Sequence, residues 1–190
     1  MSHAEARTRA SADLVPLLPV AAGIAMLLLR IRIIQVPDGG RVALLVAVFA
    51  AIAVTSLLVP VAPDAARLRP AVVAVVGMSG VALATLIAGR PVAAPLGASA
   101  LPLALLAAVS EEALFRRAAY GWLARSGPAA AIVGSALLFA AVHVPLYGVA
   151  ALPVDLGAGL LLSWQRWASG TWTVPAATHA VANLLAVVLR

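Results

Sequence analysis

The chain has 190 residues, of which 64% are hydrophobic and only 11% are charged. A soluble domain typically carries about 25% charged residues, so this composition excludes an ordinary water-soluble globular protein. The thirteen basic residues are all arginines and give a net charge of +6, but they stand singly or in pairs at the ends of apolar runs. This scattering favours anchoring at a membrane surface over a phosphate-binding stripe, and we expect no nucleic-acid partner. The sequence contains no cysteine, which excludes disulfides, thiolate catalysis and cysteine-ligated metals.

The N-terminal part of the sequence predicts a tail and three helices. Residues 1–13 are polar and mixed in charge, which is typical of a short tail. Three apolar runs follow, separated by Pro- or Gly-rich breaks such as Val36 to Gly40, and they are Leu14–Ile34, Val42–Val59 and Ala71–Ala88. The first run is too long for the apolar core of a signal peptide, so we interpret it as a retained helix. Residues 14–99 are therefore assigned to transmembrane helices 1–3.

The C-terminal part, residues 100–190, predicts four more helices. The runs are Leu101–Ala124, Pro128–His143, Leu152–Trp167 and Trp172–Leu189. Val144-Pro145 is interpreted as a break, and Trp164 to Trp167 as an aromatic and basic belt at the membrane interface. Several runs fall short of the ~20 residues that a perpendicular span needs. We predict an all-α, polytopic transmembrane bundle of about seven helices, within a range of six to eight, that forms one integral membrane domain.

The last four predicted helices carry polar residues that are costly in lipid. Inserting an ionisable side chain at the centre of a membrane span costs roughly 2.5–3.5 kcal/mol on insertion scales. Such a residue is therefore expected to have a pairing partner or a function. The first three helices hold almost none between their ends, whereas the last four hold Glu111, Glu112, Arg116, Arg117, His143, Asp155, His179 and Asn183. The chemistry is therefore predicted in the C-terminal half. Glu112 and Arg116 stand one helical turn apart, which is the spacing of an ion pair within one helix.

Four of these residues are expected to reach one cavity. Counted at 1.5 Å per residue from the Arg125 loop, Glu111, His143, Asn183 and His179 lie at depths of about 20, 22, 16 and 10 Å. A carboxylate beside two imidazoles suits activation of a water molecule. An amide with a second imidazole suits stabilisation of the oxyanion in a tetrahedral intermediate.

Three motifs occur in order on successive predicted helices. Their patterns are EExxxR at 111–116, FxxxH at 139–143 and HxxxN at 179–183. In order and placement they resemble the CAAX protease and bacteriocin-processing family, whose members are glutamic-type intramembrane endopeptidases. The resemblance covers about Leu101–Leu189. Arg117 stands at a position where such proteins often have glycine.

The resemblance implies a role for each motif residue. Glu111 is expected to be the base that activates the hydrolytic water, and His143 to help hold that water. His179 and Asn183 are expected to face the scissile carbonyl oxygen. The Glu112–Arg116 pair is expected to support and orient the site.

The family resemblance also implies a function and a place in the cell. We expect an endopeptidase that hydrolyses a peptide bond near the terminus of a membrane-anchored or lipidated protein or peptide. Such an enzyme works without a cofactor and is surrounded by the lipid bilayer. We expect a multi-pass protein of the cell (inner) membrane of a prokaryote.

Other interpretations of the same residues stay open. Glu111, His143 and His179 could hold a zinc ion, although the HExxH pattern of many zinc peptidases is absent. Ser110 precedes the acidic pair but is weak evidence for a serine protease. Asp155 follows Pro153 and is interpreted as a structural residue in the first turn of a helix, where the helix dipole favours a carboxylate.

Two other functional classes are weighed against the peptidase. An immunity or regulatory protein of the same fold would bind a peptide in the membrane without cutting it, and has no need of a water-activating acid. A small transporter is expected to carry inverted repeats with broken helices in both halves. The polar residues fall in one half only, which disfavours the transporter.

Overall fold

The computed structural model of the chain describes residues 17–61, 64–88 and 100–189. Within these ranges the regular structure is helical and includes no strand. The helices are α1 (Leu17–Ile33), α2 (Asp38–Leu58), α3 (Pro70–Ala88), α4 (Ala100–Glu112, continued as described below), α5 (Pro128–Tyr147), α6 (Leu152–Ser169) and α7 (Thr173–Val188). The prediction of an all-α fold with seven helices is confirmed for the described residues. The predicted tail, residues 1–13, and the start of the first run lie outside the described residues.

Two predicted breaks lie partly inside helices. α2 begins at Asp38, directly after the extended Pro37 (φ −53, ψ 152), so Gly39 and Gly40 are helical rather than part of a turn. α5 continues through Pro145 to Tyr147. Proline removes one backbone donor and crowds the carbonyl four residues earlier, and α5 ends two residues after it. The helix ends instead at Gly148, whose φ of 78° lies in a region that only glycine adopts easily.

α4 changes its helical geometry directly after the two acidic residues. The α-helix Ala100–Glu112 passes into a π-helical segment, Ala113–Ala119, and then into a short α-helix, Tyr120–Leu123, and a 3₁₀ turn, Ala124–Ser126. The predicted extent of this run is correct, but its sequence gave no sign of the π-helical segment. Such segments are rare and are frequently found at functional sites.

α5 and α6 approach each other closely through small residues. Gly159 lies against the backbone of Ala136, and a Cβ atom built on Gly159 would come within 3.0 Å of the Ala136 Cα and carbonyl oxygen. Beside this contact the hydroxyls of Ser135 and Ser163 are hydrogen bonded at 2.8 Å. The contact fixes α6 against α5, and α5 carries His143.

Replacing Gly159 by valine is therefore expected to lower the stability of the bundle by about 1–3 kcal/mol, because the new side chain meets backbone that cannot move aside. The matched control is Gly157→Val on the same helix, where a Cβ meets nothing within 4 Å. Thermal unfolding in detergent, followed by tryptophan fluorescence, compares the two variants. Equal melting temperatures would show that the α5–α6 contact is not tight.

The polar part of the predicted interfacial belt is buried instead of exposed. Gln165 donates to the Val73 carbonyl and to the Thr178 hydroxyl, both at 2.9 Å. Arg166 donates from Nε to the Arg116 carbonyl at 3.0 Å and forms an ion pair with Asp64, also at 3.0 Å. The belt interpretation is therefore wrong for these two residues. Polar groups at a helix end that is packed inside a bundle need hydrogen-bond partners. Gln165 and Arg166 find theirs on α3, α4 and α7, and so connect α6 to these helices.

The outer surface of the bundle is strongly apolar. Leu18 and Leu58 are each 76% exposed, and similar side chains cover much of α1, α2 and α3. By length and composition two described helices can cross a membrane, Gly39–Leu58 and Pro128–Tyr147, and two shorter apolar helices are Pro70–Leu86 and Thr173–Val188. An exposed apolar surface of this extent is typical of a protein that meets lipid or another apolar partner.

Candidate active site

One cavity inside the bundle gathers the residues that the motifs single out. Its volume is about 510 Å³, and its polar lining comes from five helices: Arg30, Glu111, His143, Tyr147, Asp155, His179 and Asn183. Ile34, Ala100 and Ala151 also line it, so the cavity extends to the end of the bundle where α1 ends and α4 and α6 begin. The expectation that Glu111, both histidines and Asn183 reach one cavity thus agrees with the geometry. The roles assigned to them stay predictions.

Glu111 and His143 face each other across a short gap. The Nε2 atom of His143 lies 3.7 Å from Oε2 of Glu111, beyond direct hydrogen-bond length. Nδ1 of the same ring donates to the Phe139 carbonyl at 2.7 Å, since a carbonyl oxygen can only accept. In the neutral ring Nε2 is therefore an acceptor. A water between the two groups can donate one hydrogen to each.

Arg30 of α1 holds the other oxygen of Glu111. Its Nη1 donates to Oε1 at 2.8 Å, and both side chains are largely buried. The prediction placed the chemistry in the C-terminal half and did not foresee this contact from the N-terminal half. The sequence places Arg30 near the end of its run, where an interfacial anchor was the ordinary interpretation. A sequence signal existed, because Arg30 is one of only two charges inside the run Leu14–Ile34.

Glu112 is fully buried behind the cavity and bonds to two basic side chains. Its Oε1 accepts from Arg116 Nη1 and from His179 Nδ1, both at 2.9 Å. Arg116 also donates to the Gly159 carbonyl at 3.1 Å and lies 4.5 Å over the ring of Phe139. The expected ion pair of Glu112 and Arg116 is present. Its link to His179 was not foreseen, and it fixes the orientation of that ring because Nδ1 is committed to Glu112.

Asn183 ties α7 to α4. Its Nδ2 donates to the Ala104 carbonyl at 2.9 Å. An amide nitrogen carries two hydrogens, so one N–H and the amide oxygen stay free of this bond. The side chain lines the cavity together with His179, one helical turn earlier.

Two further residues of the cavity were not predicted to belong to it. Asp155 lies in the first turn of α6, as expected, but its side chain also lines the cavity and interacts electrostatically with His143 and Glu111. Tyr147 stacks on His143, with ring centroids 5.7 Å apart and planes 12° from parallel. Both residues come from helix ends, which only the three-dimensional packing brings to the site.

Arg117 has a structural explanation. Its Nη1 donates to the Ser56 and Val59 carbonyls at 2.5 and 2.8 Å. These carbonyls belong to the C-terminal end of α2, where backbone acceptors lack partners within the helix. Arginine at this position therefore connects α2 to α4.

The described residues contain no group of three histidine, aspartate or glutamate side chains arranged to hold a metal ion. Nδ1 of His179 is bonded to Glu112 rather than directed at Glu111 and His143. Zinc held by Glu111, His143 and His179 stays an alternative interpretation of the site.

Comparison with known families agrees with the motifs. Residues 93–185 match the model of the family described as Type II CAAX prenyl endopeptidase, Rce1-like. The matched region, just under half of the chain, is similar to this family. The match spans all three motifs, so the resemblance inferred from them is confirmed, and the family is one of membrane-embedded proteases. Neither the curated proteins nor the solved structures include a significant match.

Proposed function

We propose that the chain is a glutamate-dependent intramembrane endopeptidase. The observation that carries the proposal is the pair of acceptors, Glu111 Oε2 and His143 Nε2, 3.7 Å apart on the wall of a cavity inside an apolar bundle. A carboxylate and an imidazole at this spacing can hold one water and take its proton. A protein that only binds a peptide has no need of this arrangement.

The proposed reaction begins with this water. Glu111 accepts its proton while the oxygen attacks the scissile carbonyl carbon. Arg30 fixes Oε1, so that Oε2 stays directed at the water. The proton taken up is then given to the leaving amine, which restores the carboxylate. The water oxygen and its second proton remain on the new carboxyl group of the product, so the reaction needs no covalent enzyme intermediate.

His179 and Asn183 are proposed to stabilise the oxyanion. When His179 is protonated, Glu112 balances its charge through Nδ1 and Nε2 can donate to the oxyanion. The free N–H of Asn183 can supply a second donor. In this proposal Glu112 acts through His179 and is a positioning residue.

We propose further that the enzyme is a multi-pass protein of the cell (inner) membrane of a prokaryote. The exposed leucines and valines of α1, α2 and α3 would face lipid. An active site in such a bundle receives substrates delivered by the membrane. We therefore propose a membrane-anchored or lipidated protein or peptide as substrate, cut near its terminus.

Reconstituted, purified protein tests this proposal and the metal question together. Proteoliposomes are incubated with detergent-extracted membrane proteins of the host, and new termini are identified by mass spectrometry. We expect cleavage whose rate is unchanged after preincubation with a strong chelator, since Glu111 and His143 activate water directly. Complete loss of cleavage that zinc restores would contradict metal-free catalysis and favour the zinc alternative.

The immunity or regulatory protein of the same fold is the second candidate. It predicts that the reconstituted protein retains a host peptide on purification and shortens none. That result would refute the peptidase.

A further inference from the structure

Asp155 lies at the rim of the cavity. It stands in the first turn of α6, and its side chain lines the cavity and is partly exposed. Val154 and Tyr147, at the facing ends of α6 and α5, line the same part of the wall. They are 70% and 63% exposed, so the cavity opens to the outside of the bundle here. A substrate that enters through this opening meets Asp155.

The carboxylate of Asp155 has no hydrogen-bond partner within the described part of the chain. Its Oδ2 atom is buried and unpaired. Because the side chain is partly exposed and Oδ1 is not among the buried unpaired atoms, Oδ1 is the oxygen that remains accessible. The dipole of α6 favours a negative charge in the first turn but donates no hydrogen bond to either oxygen. The accessible oxygen is therefore a free acceptor for a ligand.

The charged groups around the cavity leave Asp155 uncompensated. Among the described lining residues, Arg30 and Glu111 form an ion pair, so their charges cancel. With both histidines neutral, the carboxylate of Asp155 gives the cavity a net negative charge. A cavity with low-dielectric walls concentrates the field of such a charge, which attracts cations and repels anions.

The ring of Tyr147 supplies a second element of a cation site. One face of the ring stacks on His143, with the centroids 5.7 Å apart. The side chain is nevertheless 63% exposed, so its other face is open. Tyr147 interacts electrostatically with Asp155, which places the two side chains near each other. The face of an aromatic ring attracts a cation that lies within about 6 Å of its centroid.

We propose that Asp155 and the open face of Tyr147 bind a cationic group of the peptide substrate. The group is a lysine or arginine side chain or the N-terminal ammonium, and Oδ1 of Asp155 accepts its hydrogen bond. The inference rests on the proposed peptidase function and deepens it.

The cation site also sets where cleavage occurs. Asp155 lines the same cavity as Glu111 and interacts electrostatically with it. An extended residue spans about 3.3–3.6 Å, so a cavity of about 510 Å³ holds only a few residues of a peptide. The scissile bond therefore lies within a few residues of the bound cationic group.

Peptide binding to the His143→Phe variant tests the cation site apart from catalysis. Phenylalanine keeps a ring beneath Tyr147 and leaves the Arg30–Glu111 pair intact, but it removes the Nε2 acceptor. The probes are amidated heptapeptides of leucine, valine and alanine, with an N-terminal dansyl label and lysine, norleucine or glutamate at the centre. A fourth peptide, with norleucine at the centre, has the label at its C-terminus and a free N-terminal amine. Affinities are measured by fluorescence anisotropy in phosphatidylcholine nanodiscs, and empty nanodiscs give the lipid background.

We expect the lysine peptide to bind about tenfold more tightly than the labelled-amine norleucine peptide, the lower end of the range for hydrogen bonds to a charged group. The glutamate peptide should bind more weakly than both. Adding Asp155→Asn should abolish the preference for lysine, Tyr147→Leu should reduce it, and Asp155→Glu should retain it. The matched control is Asp64→Asn, which also removes one negative charge. Asp64 pairs with Arg166 near the other end of α6 and does not line the cavity, so this variant should leave the preference intact.

Each result decides between the alternatives. Tight binding of the lysine peptide alone identifies a basic side chain, and tight binding of the peptide with the free amine identifies the N-terminal ammonium. Equal binding of all four peptides, or a preference for lysine that survives Asp155→Asn, overturns the cation site while leaving the peptidase untouched. If none of the four peptides binds, the proposed function fails with it.

Discussion

Glu111→Gln is expected to lower the rate of peptide hydrolysis by about 10²- to 10⁴-fold, the usual contribution of a general base. Glutamine keeps the shape of the side chain and can still accept from Arg30, so the variant should fold and insert as the wild type does. What it loses is the ability to take a proton from the water that lies between Oε2 and His143. Single-turnover cleavage in proteoliposomes measures the loss, with the melting temperature recorded for the same preparation.

Ser110→Ala is the matched control beside this change. Ser110 is buried directly before Glu111, and its hydroxyl donates to the Leu106 carbonyl within the helix. It does not belong to the lining of the cavity. The alanine variant should hydrolyse substrate at the wild-type rate. A Glu111→Gln variant with more than half of the wild-type rate, or an inactive Ser110→Ala variant that folds, would show that the water-activating group has been misassigned.

Arg116→Met is expected to have the largest effect on stability. It leaves the fully buried Glu112 without its cationic partner, and breaking a buried pair in this way costs about 3–5 kcal/mol. It also removes the hydrogen bond to the Gly159 carbonyl and the contact with Phe139. Tryptophan fluorescence during thermal unfolding should show a markedly lower melting temperature.

The double variant Glu112→Gln/Arg116→Met separates charge from packing. With both charges gone, no ion is left uncompensated, and the glutamine oxygen can still accept from His179 Nδ1. We expect it to recover a large part of the stability that Arg116→Met loses. If the double variant is no more stable than Arg116→Met alone, the packing of the Arg116 side chain, rather than its ion pair with Glu112, stabilises the bundle.

Motif spacing and helical geometry were enough to predict that four motif residues meet in one cavity. Glu111, His143, His179 and Asn183 lie on three helices at predicted depths of about 10 to 22 Å. Side-chain length and helix tilt can bridge this range, and a bundle has one interior in which such polar groups can be accommodated. The seven helices followed from the lengths of the apolar runs. The sequence indicates a turn at Tyr147–Gly148, where α5 ends. The helix was predicted to stop earlier, at His143, because Pro145 resembles a break until its place in the last turn is known.

The pairing of Arg30 with Glu111 could not be read from the sequence. It joins residues 81 positions apart on α1 and α4, and depends on how the two halves of the chain pack. The same holds for Arg166, whose burial follows from Asp64 and the Arg116 carbonyl on other elements. A charge near a helix end is ordinarily an interfacial anchor, and only tertiary packing shows that these two are structural partners.

The most direct test of water activation by Glu111 and His143 is made in the host membrane. Cells expressing the wild type, Glu111→Gln or His143→Ala at equal levels are compared by the intact masses of their membrane-anchored proteins. We predict at least one protein that is shortened by the wild type and keeps its full mass with both variants. If the membrane-anchored proteins have the same masses in all three strains, Glu111 and His143 have no hydrolytic role.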